Sequence, residues 1–221
     1  MSRNTIFVGL AILAVFCLVA PVAAQVTLAG PTGRTEALNP GPVPEGSEQL
    51  FRGDLVAEQG IGCSNSAGTS GGPNDFAVGV TASLPTPLNV VSTTYNLFTQ
   101  VSPTITSLSF VAWGGGATPG AELGRQIGIP FSQGNHTAAV SGVSVPSAQF
   151  YFGLNQMQSN VGLRVGLDSS SGSAGTSFIR APTCGAVSFA TVDSLGFPGN
   201  WVMAAVVEDA VPVELMTLDV E

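Results

Sequence analysis

The stretch Thr-Ile-Thr-Ser-Leu-Ser-Phe-Val-Ala-Trp at residues 104–113 decides the fold class, because its polar and apolar residues nearly alternate. Successive side chains of an extended chain point to opposite faces, so Leu108, Phe110 and Ala112 share one face. Ile105 is out of step with them. The alternation is typical of a half-buried β-strand.

Short β-rich runs, separated by clusters of Gly, Pro, Ser and Asn, continue this pattern along the chain. They lie at residues 75–81, 94–101, 137–145, 149–154, 161–167, 176–181 and 200–208. The last run is nearly all apolar, as in a central strand that is buried on both faces. Only residues 47–58 suggest a short helix. We therefore predict an all-β fold, an antiparallel β-sandwich that is jelly-roll-like.

The first 24 residues have the composition of a cleavable secretory signal peptide. Arg3 supplies a positive charge, residues 6–20 form an apolar stretch, and small residues at Val22 and Ala24 place the cleavage before Gln25. An uncleaved membrane anchor is the alternative, since the segment reaches the roughly 20 residues that span a bilayer. The proline before the cleavage site favours removal, and we predict a secreted, extracellular protein.

Three further segments follow from composition. Residues 25–50 are rich in Pro, Gly, Thr and Glu without apolar periodicity, which predicts a flexible leader. Residues 63–74 are predicted to form a long loop, and residues 51–221 to form a single β-sandwich domain. Residues 211–221 alternate apolar and acidic side chains, which predicts a last edge strand able to take part in assembly or sorting.

The charge balance disfavours two classes of partner. The sequence has 14 acidic residues against 6 basic ones, all of them arginine, and a formal net charge of −8. Nucleic acids and anionic lipid surfaces are bound mainly through clustered Lys and Arg. We therefore expect no nucleic-acid partner, and no membrane partner after signal cleavage.

Two cysteines remain beyond the predicted signal peptide, Cys63 and Cys184. In an oxidising compartment an isolated pair most often forms a disulfide, and two free thiols are the alternative. Zinc is disfavoured because neither cysteine has a second ligand at the usual spacing. Calcium is the one metal considered, since Asp168 is followed by three serines and Gly172, but the further carboxylates of a calcium loop are missing. We predict a Gly/Ser hairpin loop there, and no metal site.

Catalytic motifs are absent from the sequence. His136 is its only histidine, in a predicted turn, and no Gly-x-Ser-x-Gly elbow accompanies it. The acidic residues lie in no recognisable motif for glycoside hydrolysis. We therefore predict no catalytic residues, and a protein that is not an enzyme.

Aromatic side chains are the candidate ligand contacts, because sugar rings stack on exposed aromatic faces. Trp113 is the first candidate, since it precedes Gly114, Gly115 and Gly116 at a strand end, where a ring can be exposed. Tyr95 and Tyr151 are the other two. The alternative for all three is a place in the core.

Parts of the sequence resemble the jelly-roll, lectin-like accessory domains of secreted bacterial proteins. Asn-Leu-Phe-Thr at residues 96–99 with residues 104–110 is similar to their opening strands, and Gly-Asn-Trp-Val-Met-Ala-Ala at residues 199–205 is similar to their closing strand. Pro-Val-Glu-Leu at residues 212–215 is similar to a junction near the ends of exported bacterial proteins. The resemblance implies a module for binding or adhesion and carries over no active-site residues.

Two functions of different classes follow. The first is a secreted, non-catalytic β-sandwich that binds an extracellular surface or polysaccharide. The second is a structural subunit of an extracellular fibre or surface layer, assembled by strand pairing.

Overall fold

The computed structural model describes residues 25–29, 36–64, 73–101, 107–157 and 162–210. The predicted signal peptide (residues 1–24), most of the predicted loop (residues 65–72) and the predicted last strand (residues 211–221) lie outside the described residues.

The described residues form sixteen β-strands and two short 3-10 turns, at Pro182–Cys184 and Asp193–Leu195. The strands are β1 Gln25–Ala29, β2 Glu36–Ala37, β3 Ser47–Phe51, β4 Val56–Ala57, β5 Gln59–Ser64, β6 Asn74–Thr81, β7 Leu88–Val101, β8 Ser109–Gly115, β9 Pro119–Ile127, β10 Gly134–Val145, β11 Gln149–Gln156, β12 Gly162–Asp168, β13 Ser177–Ala181, β14 Ala186–Thr191, β15 Asn200–Trp201 and β16 Met203–Asp209.

Two antiparallel sheets pack against each other. The eight-stranded sheet has the order β1-β5-β12-β7-β16-β3, with β10 on β7 and β15 on β12, and the six-stranded sheet has the order β14-β13-β6-β11-β8-β9. The predicted all-β antiparallel sandwich is confirmed. Within the described ranges, no helix has the length and apolar composition needed to cross a membrane.

Large apolar side chains fill the interior between the sheets. Alternation along β6 points Phe76, Val78 and Val80 inward. Trp201 is fully buried, its Nε1–H donates to the backbone oxygen of Phe178 (2.9 Å), and its ring meets that of Phe76 edge to face. These contacts make the interior between the sheets the main core.

The strand predicted at residues 104–113 is confirmed over its described part. Strand β8 begins at Ser109, and Leu108, Phe110 and Ala112 all belong to the interior cluster, as the alternation predicts.

The segment predicted as a flexible leader forms strands instead. Strand β1 pairs with β5, β2 with β4, and β3 with β16. Leu38 and Leu55 are joined by a backbone hydrogen bond of 2.9 Å and pack with Phe98 and Val202 on the outer face of the eight-stranded sheet. Composition misses this because the pairing partners lie elsewhere in the chain.

The short helix suggested at residues 47–58 does not form. Strand β3 occupies its first half, and the chain then turns through Gly53 (φ +71°) and Leu55 (φ +62°). Leu50 packs into the interior, whereas Leu55 packs on the outer face of the eight-stranded sheet. The apolar face of one helix packs on one side only, so a helix could not place these two leucines on opposite sides of a sheet. The pairing of β3 with β16 therefore determines the structure here.

Candidate functional site: a groove on the six-stranded sheet

A groove runs along the outer face of the six-stranded sheet, between its edge strands β9 and β14. The ring centroids of Trp113 in β8 and Phe189 in β14 lie 5.6 Å apart, although three strands separate β8 from β14. At a strand spacing of about 4.8 Å, the backbones of these two strands would lie roughly 19 Å apart in a flat sheet. The two side chains therefore reach toward each other over the strands between them, and side chains of β9 and β14 line the same cavities.

Two cavities make up this groove, and each is lined by side chains of both edge strands, β9 and β14. The larger has a volume of about 480 Å³ and is lined by Thr118, Pro119, Arg180, Val187, Ser188 and Phe189. The smaller has a volume of about 340 Å³ and is lined by Pro73, Asp75, Arg125, Asn155, Met157, Arg180, Pro182 and Val187. Arg180 and Val187 line both, so the two cavities adjoin at these side chains.

A chain of hydrogen bonds, here called the polar network, crosses the floor of the groove. Asp75 accepts from Arg180 Nε (2.7 Å) and from Asn155 Nδ2 (2.6 Å). Arg125 donates from Nη1 to Asn155 Oδ1 (2.7 Å) and from Nε and Nη2 to the two carboxylate oxygens of Glu122 (2.9 and 2.7 Å). The network thus joins strands β13, β6, β11 and β9.

Strand register brings the centre of the network together. Asp75 in β6 lies directly opposite Arg180 in β13 on one side and Asn155 in β11 on the other. Phe76 points into the interior, so alternation turns Asp75 to the outer face. The Asp75 carboxylate is buried, which makes its two partners necessary, because an unpaired buried charge is costly.

The Arg180 guanidinium is held on two sides. Asp75 binds its Nε–H, and its Cζ lies 4.9 Å from the centre of the Phe189 ring, a cation–π arrangement. Among the described residues, none accepts a hydrogen bond from its Nη1 or Nη2 group, and the side chain is 42% exposed. The guanidinium therefore offers oriented donors to a ligand in the groove.

The outer pair of the network stays ionised at neutral pH. The hydrogen bond from Arg125 lowers the pKa of Glu122, and this effect outweighs the opposing effect of burial. The same bond raises the pKa of Arg125. The network therefore contains two guanidinium groups, each bonded to a carboxylate.

The three aromatic residues predicted to bind a ligand are buried. Trp113 is 2% exposed, so the prediction that its ring is exposed at a strand end is wrong; the Phe189 ring packs against it. Tyr151 belongs to the same buried cluster, lines neither cavity, and donates its hydroxyl hydrogen to the oxygen of Gly116 (2.6 Å). Tyr95 is in the main core, where burial raises the pKa of its hydroxyl.

Sequence reasoning missed the side chains that open onto the groove, namely Asp75, Arg125, Asn155, Arg180, Val187 and Phe189. One signal was available. Arg180 stands between Ile179 and Ala181 in a run predicted to be a strand, so it had to point away from the interior.

A cluster of three carboxylates, from Asp54, Glu58 and Asp168, lies away from the residues that line the groove. One oxygen of each lies within 4.8 Å of the others, a donor set that suits a hard cation such as calcium. The predicted Gly/Ser loop is fastened here: Asp168 Oδ1 accepts from the backbone nitrogens of Ser170 and Ser171 (3.0 Å each). Asp168 Oδ2 accepts from the backbone nitrogen of Asp54 (3.0 Å). Burial by itself raises the pKa of Asp168. The N–H donors together lower this pKa by more, so it lies below its usual value.

Asp168→Asn is expected to lower the free energy of unfolding by about 2–3 kcal/mol at neutral pH, because an amide cannot accept all the bonds of the carboxylate. Since the folded pKa is depressed, the carboxylate stabilises the fold fully above its ordinary pKa and loses this effect as the pH falls through the folded value. Urea unfolding across a pH series should therefore show the gap between variant and wild type closing in strong acid. Asp54→Asn, at the exposed carboxylate of the cluster, should cost about 1 kcal/mol or less. Equal losses in the two variants would contradict this account.

Comparison with known proteins gives one finding about the fold. No family model matches the sequence, and neither does any curated protein. A solved structure comprising the cysteine protease and lectin-like domains of Cwp84, a surface layer associated protein of Clostridium difficile, superposes with a TM-score of 0.53 at 9% identity. The match covers 77% of this chain and 37% of that one. At this identity the likeness shows a shared fold.

Proposed function

We propose that this chain is a secreted, non-catalytic protein that binds an extracellular polysaccharide or surface through the groove. The observation that carries the proposal is the polar network on the groove floor, next to an aromatic cluster. Sites for small ligands combine apolar and aromatic walls with a few oriented polar groups. A sugar offers both kinds of contact, since hydroxyl groups surround its ring and C–H groups cover its faces.

Particular side chains supply each kind of contact. Arg180 presents free N–H donors, and Asn155 and Asp75 form a hydrogen-bonding floor. Val187 is 73% exposed, and with Phe189 it forms an apolar wall. The groove is open along its length, which suits a polymer better than a small molecule enclosed on all sides.

The surroundings of the histidine support a non-catalytic role. His136 Nε2 lies 2.6 Å from the backbone oxygen of Ser132. A carbonyl oxygen only accepts, so Nε2 carries the proton and is not free to act as a base toward a serine. Its contact with the Ser132 hydroxyl is 3.4 Å long. Neither residue lines the groove.

The structural neighbour gives coarse support for an extracellular role. That protein is associated with a surface layer and contains a lectin-like domain. The Cys63–Cys184 disulfide of the present chain agrees with an oxidising compartment.

Assembly by strand pairing is the second candidate, and the β14 edge favours it. Strand β14 pairs with β13 and ends the described sheet. It contains no charged residue and exposes Val187, whereas protein edge strands are usually protected by charge. A concentration series followed by light scattering separates the candidates, because a stable monomer excludes simple assembly.

Val187→Glu is expected to lower the affinity for the preferred polysaccharide by about tenfold or more, because it places a carboxylate inside the groove. The position is exposed, so the fold should be retained. The test is retention on a panel of immobilised polysaccharides, using the chain expressed through an oxidising secretory route. Val43→Glu adds the same charge at an exposed valine that does not line the groove, and it should bind as wild type does. Equal retention of both variants would remove the groove from the proposal.

A further inference from the structure

We infer that the groove takes a charge-neutral glycan chain, which crosses Arg180 and is held by the Nη groups of that side chain. This inference rests on the proposed function and names its ligand class. It is argued from the position of Arg180, the charge of the polar network and the orientation of the donors.

The position of Arg180 indicates a chain rather than a single sugar. Its side chain lines both cavities, so it stands where the cavity of about 480 Å³ meets that of about 340 Å³. A ligand that fills both cavities must pass over the guanidinium. One wall of this passage, Val187, also belongs to both cavities.

The charges of the polar network cancel. Arg180 is bonded to Asp75, and Arg125 is bonded through two nitrogens to Glu122. The charged side chains that line the two cavities are Asp75, Arg125 and Arg180, and Glu122, which lines neither cavity, compensates the charge of Arg125 from its other side. A carboxylate or sulfate on the ligand would add uncompensated negative charge to a neutral site. It would also approach a protein with a formal net charge of −8.

The Nη donors of Arg180, which have no acceptor among the described residues, match uncharged acceptors. Its Nε–H is occupied by Asp75 and its Cζ lies over the Phe189 ring, so the guanidinium is held from two sides. The remaining N–H groups lie in the plane of the guanidinium and can reach two neighbouring hydroxyl or ring oxygens of a sugar. The planar guanidinium holds its N–H donors in fixed relative directions, whereas the ammonium group of a lysine does not.

The test compares polymers that share a backbone and differ in charge, namely fully methyl-esterified homogalacturonan with polygalacturonate and dextran with dextran sulfate. Dissociation constants are measured by affinity electrophoresis on the full secreted chain at about 20 mM and about 500 mM NaCl, concentrations that span strong and weak screening. We expect a neutral member to bind, with a dissociation constant that changes less than about twofold with salt. Arg180→Lys, which keeps a cation beside Asp75, should weaken that binding about tenfold, because the planar set of donors is lost.

The control is Arg52→Lys, at an arginine that donates to the backbone oxygen of Gly79 and lines neither cavity. It should bind as wild type does. Preference for the charged polymers, with affinity falling steeply as salt rises, would overturn the inference while leaving the proposed function intact. Equal binding by Arg180→Lys and wild type would also overturn it. Retention of no polymer at all would overturn the proposed function itself.

Discussion

Replacing both Cys63 and Cys184 by serine should lower the free energy of unfolding by about 4–5 kcal/mol, a large part of the stability of a single domain. The disulfide joins residues 121 positions apart, and the chain-entropy model gives loops of this length the greatest stabilisation. Cys63 lies in β5 of the eight-stranded sheet, and Cys184 lies in the turn between β13 and β14 of the six-stranded sheet. The bond therefore fastens the two layers together.

Urea unfolding of the double variant, beside the oxidised wild type, measures this effect. The midpoint should fall clearly. Wild type unfolded in the presence of a reductant is the matched control, because it removes the bond without changing either side chain to serine. A loss of less than about 1 kcal/mol in both samples would show that the sheets hold each other without the disulfide.

Trp201→Ala should cost about 3–5 kcal/mol, because it opens a large cavity in the main core. The indole is fully buried, packs edge to face on Phe76 and donates a hydrogen bond to Phe178. Removing it leaves that carbonyl oxygen without its donor as well. Thermal or urea unfolding of the purified variant measures the loss.

Trp201→Phe serves as the graded control, because it keeps most of the apolar volume and removes the indole donor. It should lose clearly less stability than Trp201→Ala. The groove lies on the outer face of the six-stranded sheet, whereas the Trp201 ring packs in the interior, so Trp201→Phe should retain whatever polysaccharide binding the wild type shows. If the two variants lost the same free energy of unfolding, the stabilisation by Trp201 would come from its hydrogen bond rather than from its packing.

Local patterns in the sequence predict the sandwich well, because strands form where alternation is regular. Strand β8 follows from the spacing of Leu108, Phe110 and Ala112. The disulfide follows equally directly, since only one pairing of Cys63 and Cys184 exists beyond the predicted signal peptide.

The groove could not be predicted in the same way, since it depends on register between distant strands. Asp75 meets Asn155 across 80 residues and Arg180 across 105 residues. No local pattern records that they lie opposite each other. The burial of Trp113 involves Phe189 of β14, which three strands separate from β8, and no single strand reveals that contact.

The tether at Cys184 couples one wall of the groove to the oxidation state of the two cysteines. Strands β13 and β14, which carry Arg180, Val187 and Phe189, flank the turn that the disulfide ties to β5. A chain whose cysteines are still thiols lacks that anchor on one wall of its groove. Reduction therefore leaves this wall held by strand pairing and side-chain packing alone.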